Sequence, residues 1–541
     1  MPRLRIAVAC AATVLAATPF VASGQPSPPP APPASAVHGH FVVLGAAGGR
    51  TVAYARAVIE PAYGCPAVSG GAGSITMTTR DNPHHFPVVV CEAQIGFDQD
   101  LALLLGDGTR LALPRVKRNP QRILVFGDTG CKLPEHGSGE GCPAGSPAEP
   151  FRSLAAAAAS GPAADVILHM GDYNYRGTGG GLLFTEREDG GPRQVSQWPY
   201  DAGDGSGAGE QCEQAPGTPF YSQNAANANH PDAWSYWRDD FFTAAADLLP
   251  KAPWIFARGN HELCSRAGPG WFYFLDPHSE LGDGQLRCPT PEVDRDPIDN
   301  VLLTEPYAVD LGSLTVLVLD SANACDSFTE PIFTGYYQQQ LQALATLAPR
   351  TGVAWLISHR PLWGVTEYSA TESTACSRNG EASSTTTWGC INRMLQTALD
   401  RVPGGALPPS VELLLAGHMH RFQSLTFPGG SRPPLVVVGS SGVELDGSPP
   451  LGVISPSPAV GGLTAQVLST GDEVYAGGAA GGRAAFGYLE ITYRGNGGWS
   501  GVLHNPPEKL TIATCGSALA AAGAVCRLAP GIRATPPSAQ R

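Results

Sequence analysis

The sequence predicts an α/β layered core preceded by a small all-β domain. Two observations carry that reading. From residue 122 onward, short apolar runs recur and each ends in polar residues: Ile123–Phe126, Val166–Leu168, Trp254–Phe256, Thr315–Leu319, Val353–Ile357, Leu413–Leu415 and Leu435–Val438. Runs of that length and composition are the pattern of strands buried on both faces. Helix-patterned segments lie between several of them, and strand–helix alternation builds a layered α/β core. By contrast, Phe41 to Val116 shows alternating runs split by turn clusters and no strong helix, the pattern of a β-domain.

The helices are placed by apolar spacing and stop signals. Phe151 to Ser160 is Ala-rich and halts at Gly161. Trp234, Trp237, Phe241, Ala244 and Leu248 share one face of a segment ending before Pro250. Tyr337, Leu341 and Leu344 mark a third helix, and Ile391, Leu395, Ala398 and Val402 a fourth. Gly487 to Gly501 reads as a hairpin turning at Asn496-Gly497. Residues 176–230 form a Gly-rich insertion and 364–389 a Ser/Thr-rich loop, long connections of the kind that shape a site on a rigid scaffold. The expected domains are 1–24 as signal peptide, 25–37 as Pro-rich linker, 38–118 as β-domain, 119–510 as catalytic unit and 511–541 as a C-terminal tail with a disulfide.

Composition limits the setting. Arg3 and Arg5, the apolar stretch Ile6 to Ala22, and Ala22-Ser23-Gly24 read as a secretory signal with its cleavage site. Cleavage removes two arginines and no acids, taking the net charge from −13 to −15. An acidic surface of that kind disfavours nucleic acid as a partner. After Cys10 is removed with the signal, 12 of the 13 cysteines remain, an even number that suits disulfides in a secreted, periplasmic or extracellular protein. Local spacing suggests Cys65–Cys91, Cys131–Cys142, Cys264–Cys288, Cys376–Cys390 and Cys515–Cys526, leaving Cys212 with Cys325. No CxxC pair occurs, which speaks against a zinc-thiolate site.

Chemistry-bearing residues gather at the strand tips. Asp128 stands in Gly127-Asp128-Thr129-Gly130, and Asp172 and Tyr175 in Gly171-Asp172-Tyr173-Asn174-Tyr175. Asn260, His261 and Glu262 stand in Gly259-Asn260-His261-Glu262, His359 ends its strand, and His418 and His420 stand in Gly417-His418-Met419-His420. Singly, each has a bland reading as a capping Asp, a turn Asn-His or a satisfied core His. Five in series, each at the end of an apolar strand, point to a metal centre. In an extended chain His418 and His420 project to the same side, so both imidazoles can enter one cavity. His84-His85 offers metal-ligand types too, but neighbours on a strand face opposite ways, so an exposed loop is the better reading.

The ordered set GDTG, GDYNY, GNHE, strand-end His359 and GHMH resembles the five-motif signature of the calcineurin-like metallophosphoesterases, and most of all the purple acid phosphatase branch. Other branches carry a histidine two residues after the first aspartate. Here Gly130 holds that place and Tyr175 enters from the second motif. The resemblance spans roughly residues 120–440 and implies a layered metallophosphoesterase β-sandwich flanked by helices, with a fibronectin-like placement of the β-domain before it. It implies a first metal, Fe(III), on Asp128, Asp172, Tyr175 and His420. It implies a second, divalent iron, zinc or manganese, on Asp172, Asn260, His359 and His418, with Asp172 bridging. Three anionic oxygens suit a hard trivalent ion, and imidazoles with an amide oxygen suit a softer divalent one. The implied activity is hydrolysis of small phosphomonoesters by attack of a metal-bound hydroxide. His261 would stabilise the phosphoryl group or protonate the leaving group, and Glu262 would orient His261. Tyr368 stands where members of the family commonly carry a substrate-contacting histidine. The alternatives are a phosphodiesterase or nucleotidase on the same centre, and a non-catalytic phosphate-binding or adhesion module.

Overall fold

A computed structural model of the chain describes residues 29–71, 73–82, 86–132, 149–175, 183–186, 192–195, 232–263, 267–288, 303–326, 329, 331–367, 374–376, 388–446, 458–477 and 481–534. Its centre is a sandwich of two large sheets. In the first, Arg122–Phe126, Val166–His169 and Trp254–Phe256 lie side by side in parallel. Their registers match: Ile123 is opposite Val166, and Ile167 opposite Trp254. In the second, Leu314–Leu319, Val353–Ser358, Val411–Ala416 and Leu435–Val438 are likewise parallel neighbours. Parallel strands in near register end at one level, so the residues that follow them line one edge of the sandwich.

Alternation sorts the side chains of these strands into two layers. Ile123, Val125, Val166, Leu168 and Ile255 of the first sheet pack against Val316, Trp355, Ile357, Leu413 and Val436 of the second. Their neighbours Leu124, Phe126, Ile167 and Trp254, with Leu317 and Leu356 of the second sheet, face outward into helices. Burial on both faces explains why the runs read as continuously apolar rather than alternating.

The helices stand where spacing put them. Pro150–Ser160 is capped by Gly161, and Pro331–Leu347 and Arg393–Asp400 are helical, the latter capped by the Asn392 side chain on the Leu395 amide. One differs in pitch. Trp234–Trp237 is α-helical, but Arg238–Phe242 continues as a π-helix and the chain then runs on in turns. The apolar face survives that change, since Trp234, Trp237, Phe241, Ala244 and Leu248 are all buried. The late hairpin is Tyr488–Tyr493 with Trp499–Asn505, and Asn496 and Gly497 take the left-handed φ values of 49° and 76° that its turn demands.

The stretch ahead of the catalytic unit is all-β, as expected. Its strands Ala67–Gly70, Gly73–Thr76, Leu101–Leu104 and Arg110–Ala112 form a four-stranded sheet. Val37–Ala47 does more, for it pairs in parallel with Trp254–Phe256 and so extends the main sheet. Buried ion pairs fasten this region down. Glu92 meets Arg56 and Arg80, whose guanidinium groups also reach the carbonyls of Phe272, Tyr273 and Phe274.

Two expectations are corrected. The stretch from 511 is not a tail: Leu510–Gly516 and Cys526–Leu528 are strands of the main sheet, the second of them at its edge, joined by Cys515–Cys526. Burial of Leu510, Ile512 and Ala513 supplies the reason, since these side chains join the sandwich core. The 364–389 segment is likewise not loop alone, since Gly364–Glu367, Thr374–Ala375 and Trp388–Ile391 pair as a small sheet.

Cys65–Cys91 and Cys376–Cys390 also form as spacing suggests. Cys131, Cys288 and Cys325 are disulfide-bonded as well, so all described cysteines are in disulfides. Residues 1–28, His84-His85, Tyr368, Cys142, Cys212 and Cys264 lie outside the described residues, as does most of the 176–230 insertion. Among the described residues no helix is long and apolar enough to cross a membrane.

Candidate metal centre

The strand tips of both sheets meet in one cavity. Asp128 and Asp172 leave adjacent strands of the first sheet, and His359 and His418 leave adjacent strands of the second. Asp128, Asp172 and His418 all sit at left-handed φ, 55°, 59° and 72°. Non-glycine residues rarely hold that conformation, and where they do it is imposed by the surroundings, often at functional sites. Here the sharp turn at each strand end swings a polar side chain off the sheet edge and into the space between the sheets.

Close approach of the backbones accounts for two glycines in the motifs. A Cβ on Gly259 would collide with the Asp172 carboxylate, and one on Gly417 with that of Asp128. The sheets are tied across the gap as well. The His418 amide donates to Asp128 at 2.9 Å, and His359 Nδ1 lies 2.8 Å from the Met170 carbonyl oxygen.

Two donor groups result, and they share Asp172. In the first, Tyr175 Oη is 2.8 Å from Asp172 Oδ2, 3.4 Å from Asp128 Oδ1 and 3.1 Å from His420 Nε2. In the second, Asn260 Oδ1 is 2.8 Å from His359 Nε2 and 3.0 Å from His418 Nδ1, and His359 Nε2 is 3.4 Å from Asp172 Oδ2. Among the described His, Cys, Asp and Glu residues, Asp128, Asp172 and His420 form a group whose ligand atoms all lie within 4.8 Å of one another.

The residues 121–422 match the family model of the calcineurin-like phosphoesterases, and that stretch is more than half of the chain. The chain belongs to the calcineurin-like phosphoesterase family. It is therefore a metal-dependent phosphatase hydrolase. Among solved structures it is similar to the purple acid phosphatase PPD1 from yellow lupin (Lupinus luteus) seeds, at 13% identity and a TM-score of 0.45, covering 90% of this chain and 74% of that one. It is also similar to PhoD, at 12% identity and a TM-score of 0.43, covering 88% and 89%. None of the curated proteins compared matches the chain.

The electrostatics of this phosphoesterase cavity favour a cation. Burial, then the charge of Asp172, push the Asp128 carboxyl well above the usual carboxylate range. Burial and both carboxylates do the same to the Tyr175 phenol. Asp172 is itself held low by His359 and His261, against its own burial. Burial also holds His420 below its ordinary value, in the neutral form a metal ligand needs. Acidic oxygens crowded out of water repel one another, and multivalent cations relieve that repulsion.

The glycine that replaces the usual histidine in the first motif has a steric cause. A Cβ on Gly130 would stand 2.5 Å from Cδ2 of the Tyr175 ring. The Tyr173 carbonyl oxygen and the Tyr175 amide nitrogen would stand 2.9 Å from it as well, so the backbone of the second motif and the Tyr175 ring together leave no room for a side chain at 130. The backbone of Tyr175 is held from behind, its amide donating to Asp240 in the π-helical turn at 3.1 Å.

His261 packs against Tyr175, with ring centroids 3.9 Å apart and the planes tilted by 38°, and its amide donates to Asp172 Oδ1 at 2.9 Å. The expected role of Glu262 is corrected. Its buried carboxylate is not turned to the His261 ring but accepts from the backbone amides of Asp172, Tyr173, Asn174 and Gly259, at 2.8 to 3.3 Å. Burial and the Asp172 charge push Glu262 up to about 8, against the pull of those donors. Glu262 is a clamp on the second motif, and Arg258 backs it by pairing with Asp320 and donating to the Glu262 carbonyl.

Sequence reading missed Asp326 and Arg360, which pack behind His418. A signal was present: Arg360 directly follows a strand-end histidine at a buried position, and a buried guanidinium demands an anion.

Proposed function

We propose that the chain is an exported binuclear-metal phosphoesterase that hydrolyses phosphomonoesters. The observation that carries this is the pair of donor sets meeting at Asp172. Asp128, Asp172, Tyr175 and His420 would hold Fe(III), and Asp172, Asn260, His359 and His418 a divalent iron, zinc or manganese ion. When bound, such cations polarise a phosphoryl oxygen and acidify water. The chain's own groups do the rest. Asp172 anchors the His261 amide while Tyr175 packs against its ring, which would place an imidazole beside the reacting phosphorus. From there it stabilises charge on the phosphoryl oxygens or gives a proton to the leaving alkoxide. Export is supported by the Arg3/Arg5 and apolar N-terminal pattern and by the disulfide-bonded state of every described cysteine.

Metal content, measured with turnover of p-nitrophenyl phosphate against its bis ester, tests the reading. Two metals per chain with faster monoester turnover are expected. Faster diester turnover would make the protein a diesterase or nucleotidase, and two metals without turnover of either would make it a binding module.

Tyr175 decides whether the phosphoesterase is coloured. A phenolate on Fe(III) donates density into the metal and gives a visible charge-transfer band, so protein purified with iron should be pink to purple. Tyr175→Phe keeps the buried ring and removes only the oxygen 2.8 Å from Asp172. It should fold, lose the band and retain iron less well. A colourless wild type free of iron after growth in iron-replete medium would leave a zinc or manganese phosphoesterase instead.

A further inference from the structure

Behind the second donor set lies an arrangement that the family signature does not contain. Asp326 is buried, at 5% exposure, in the connection following the Leu314–Leu319 strand. Its Oδ2 is in hydrogen-bond contact with His418 Nε2 and accepts from Arg360 Nη1 at 2.8 Å. Its Oδ1 accepts from Asn392 Nδ2 at 2.7 Å, and its backbone carbonyl from the Arg393 amide at 2.8 Å. Arg360 is itself buried and donates to the Ala322 carbonyl. The carboxylate is therefore fixed from several sides before it reaches the imidazole.

We propose that Asp326 is a positioning residue for the second cation: it locks His418 in the Nε2–H tautomer and supplies, one hydrogen bond removed, a negative charge to a ligand set whose one anion, Asp172, is shared with the first cation. The tautomer follows from the geometry. His418 Nδ1 faces Asn260 Oδ1 at 3.0 Å, so Nδ1 is the nitrogen turned to the donor set and must offer a lone pair there. The proton then resides on Nε2 and is donated to Asp326. Arg360 Nη1, 3.2 Å from the same Nε2, is a second donor sharing the Asp326 oxygen, not a partner of the ring. Charge counting gives the second half. Asn260, His359 and His418 are neutral ligands, which leaves Asp172 as the anion of this set, and Asp172 is shared. His359, by comparison, is braced only by a neutral group at Nδ1, the Met170 carbonyl. A carboxylate behind a ligating imidazole raises its basicity, and removing such a partner costs about 10–100-fold in metal affinity.

This inference rests on the two-cation reading above. The test is Zn(II) affinity of the second site in the full-length exported protein, by competition with a chelator, with first-site iron measured on the same sample. Asp326→Asn should weaken Zn(II) binding by about 10–100-fold and leave the iron equivalent in place. Arg360→Gln, which keeps the Asp326–His418 contact, should stay within about threefold of wild type. A purely structural Asp326 would lower the unfolding temperature without separating the two metals. Because Asp326→Asn removes the carboxylate that accepts from Arg360 Nη1, Asp326→Asn/Arg360→Gln serves where the single variant fails to fold. Wild-type Zn(II) affinity in either folded variant overturns the inference. A wild type that binds no second metal overturns the two-cation reading instead.

Discussion

Asp172→Ala is expected to strip both metals from the protein and to lower turnover about 1000-fold or more, beyond what one lost electrostatic donor costs. The reason is position. Asp172 Oδ2 stands 2.8 Å from Tyr175 Oη in one donor set and 3.4 Å from His359 Nε2 in the other. Removing it also orphans the His261 amide, which donates to Oδ1, at a cost of about 1–3 kcal/mol. Two packed layers and the disulfides are untouched by the substitution, so the variant should still be exported and folded. Metal analysis of the purified variant checks the assignment, and two metals per chain would refute it.

Glu262→Ala should act nearly as strongly, by a different route. The Glu262 carboxylate accepts four backbone amides, those of Gly259, Asp172, Tyr173 and Asn174. All four lie in buried backbone. With the carboxylate gone and no room for bulk water, each orphaned amide costs about 1–3 kcal/mol. The loss should fall on the turn that carries Asp172 and Tyr175, so metal retention and turnover should drop together while the distant sheets persist. Metal content and thermal unfolding measured side by side would show it. Full metal occupancy with only turnover reduced would instead return Glu262 to a role at the His261 ring.

The purple acid phosphatase reading has a second physical support in the Gly130–Tyr175 contact. A Cβ at 130 would press on the Tyr175 ring and on the backbone of Tyr173 and Tyr175, so this course of the second motif requires glycine there. The contact directs the iron question to a single residue, where the colour of the protein reports the answer.

Much of the molecule was legible in its sequence because the signals are local. An apolar run buried on both faces declares a central strand, and a glycine beside a polar residue at its end declares a turn into a cavity. That logic located Asp128, Asp172, Asn260, His359, His418 and His420 without knowledge of the fold. It also found the hairpin at Asn496-Gly497, whose turn needs positive φ, and the local disulfides. What the sequence could not carry depends on partners distant along the chain. Whether Glu262 faces a ring or four amides is set by where the 171–174 turn packs, about ninety residues away. Asp326 meets His418 across 92 residues, through the pairing of strands rather than any local pattern. The strands from 510 looked like a tail because their small and alternating residues are weak signals alone, and only an open sheet edge makes them strands. Local periodicity determined the elements and the tips that carry the candidate ligands; packing between sheets decided which groups stand behind them, because burial and hydrogen-bond partners are properties of the assembled layers.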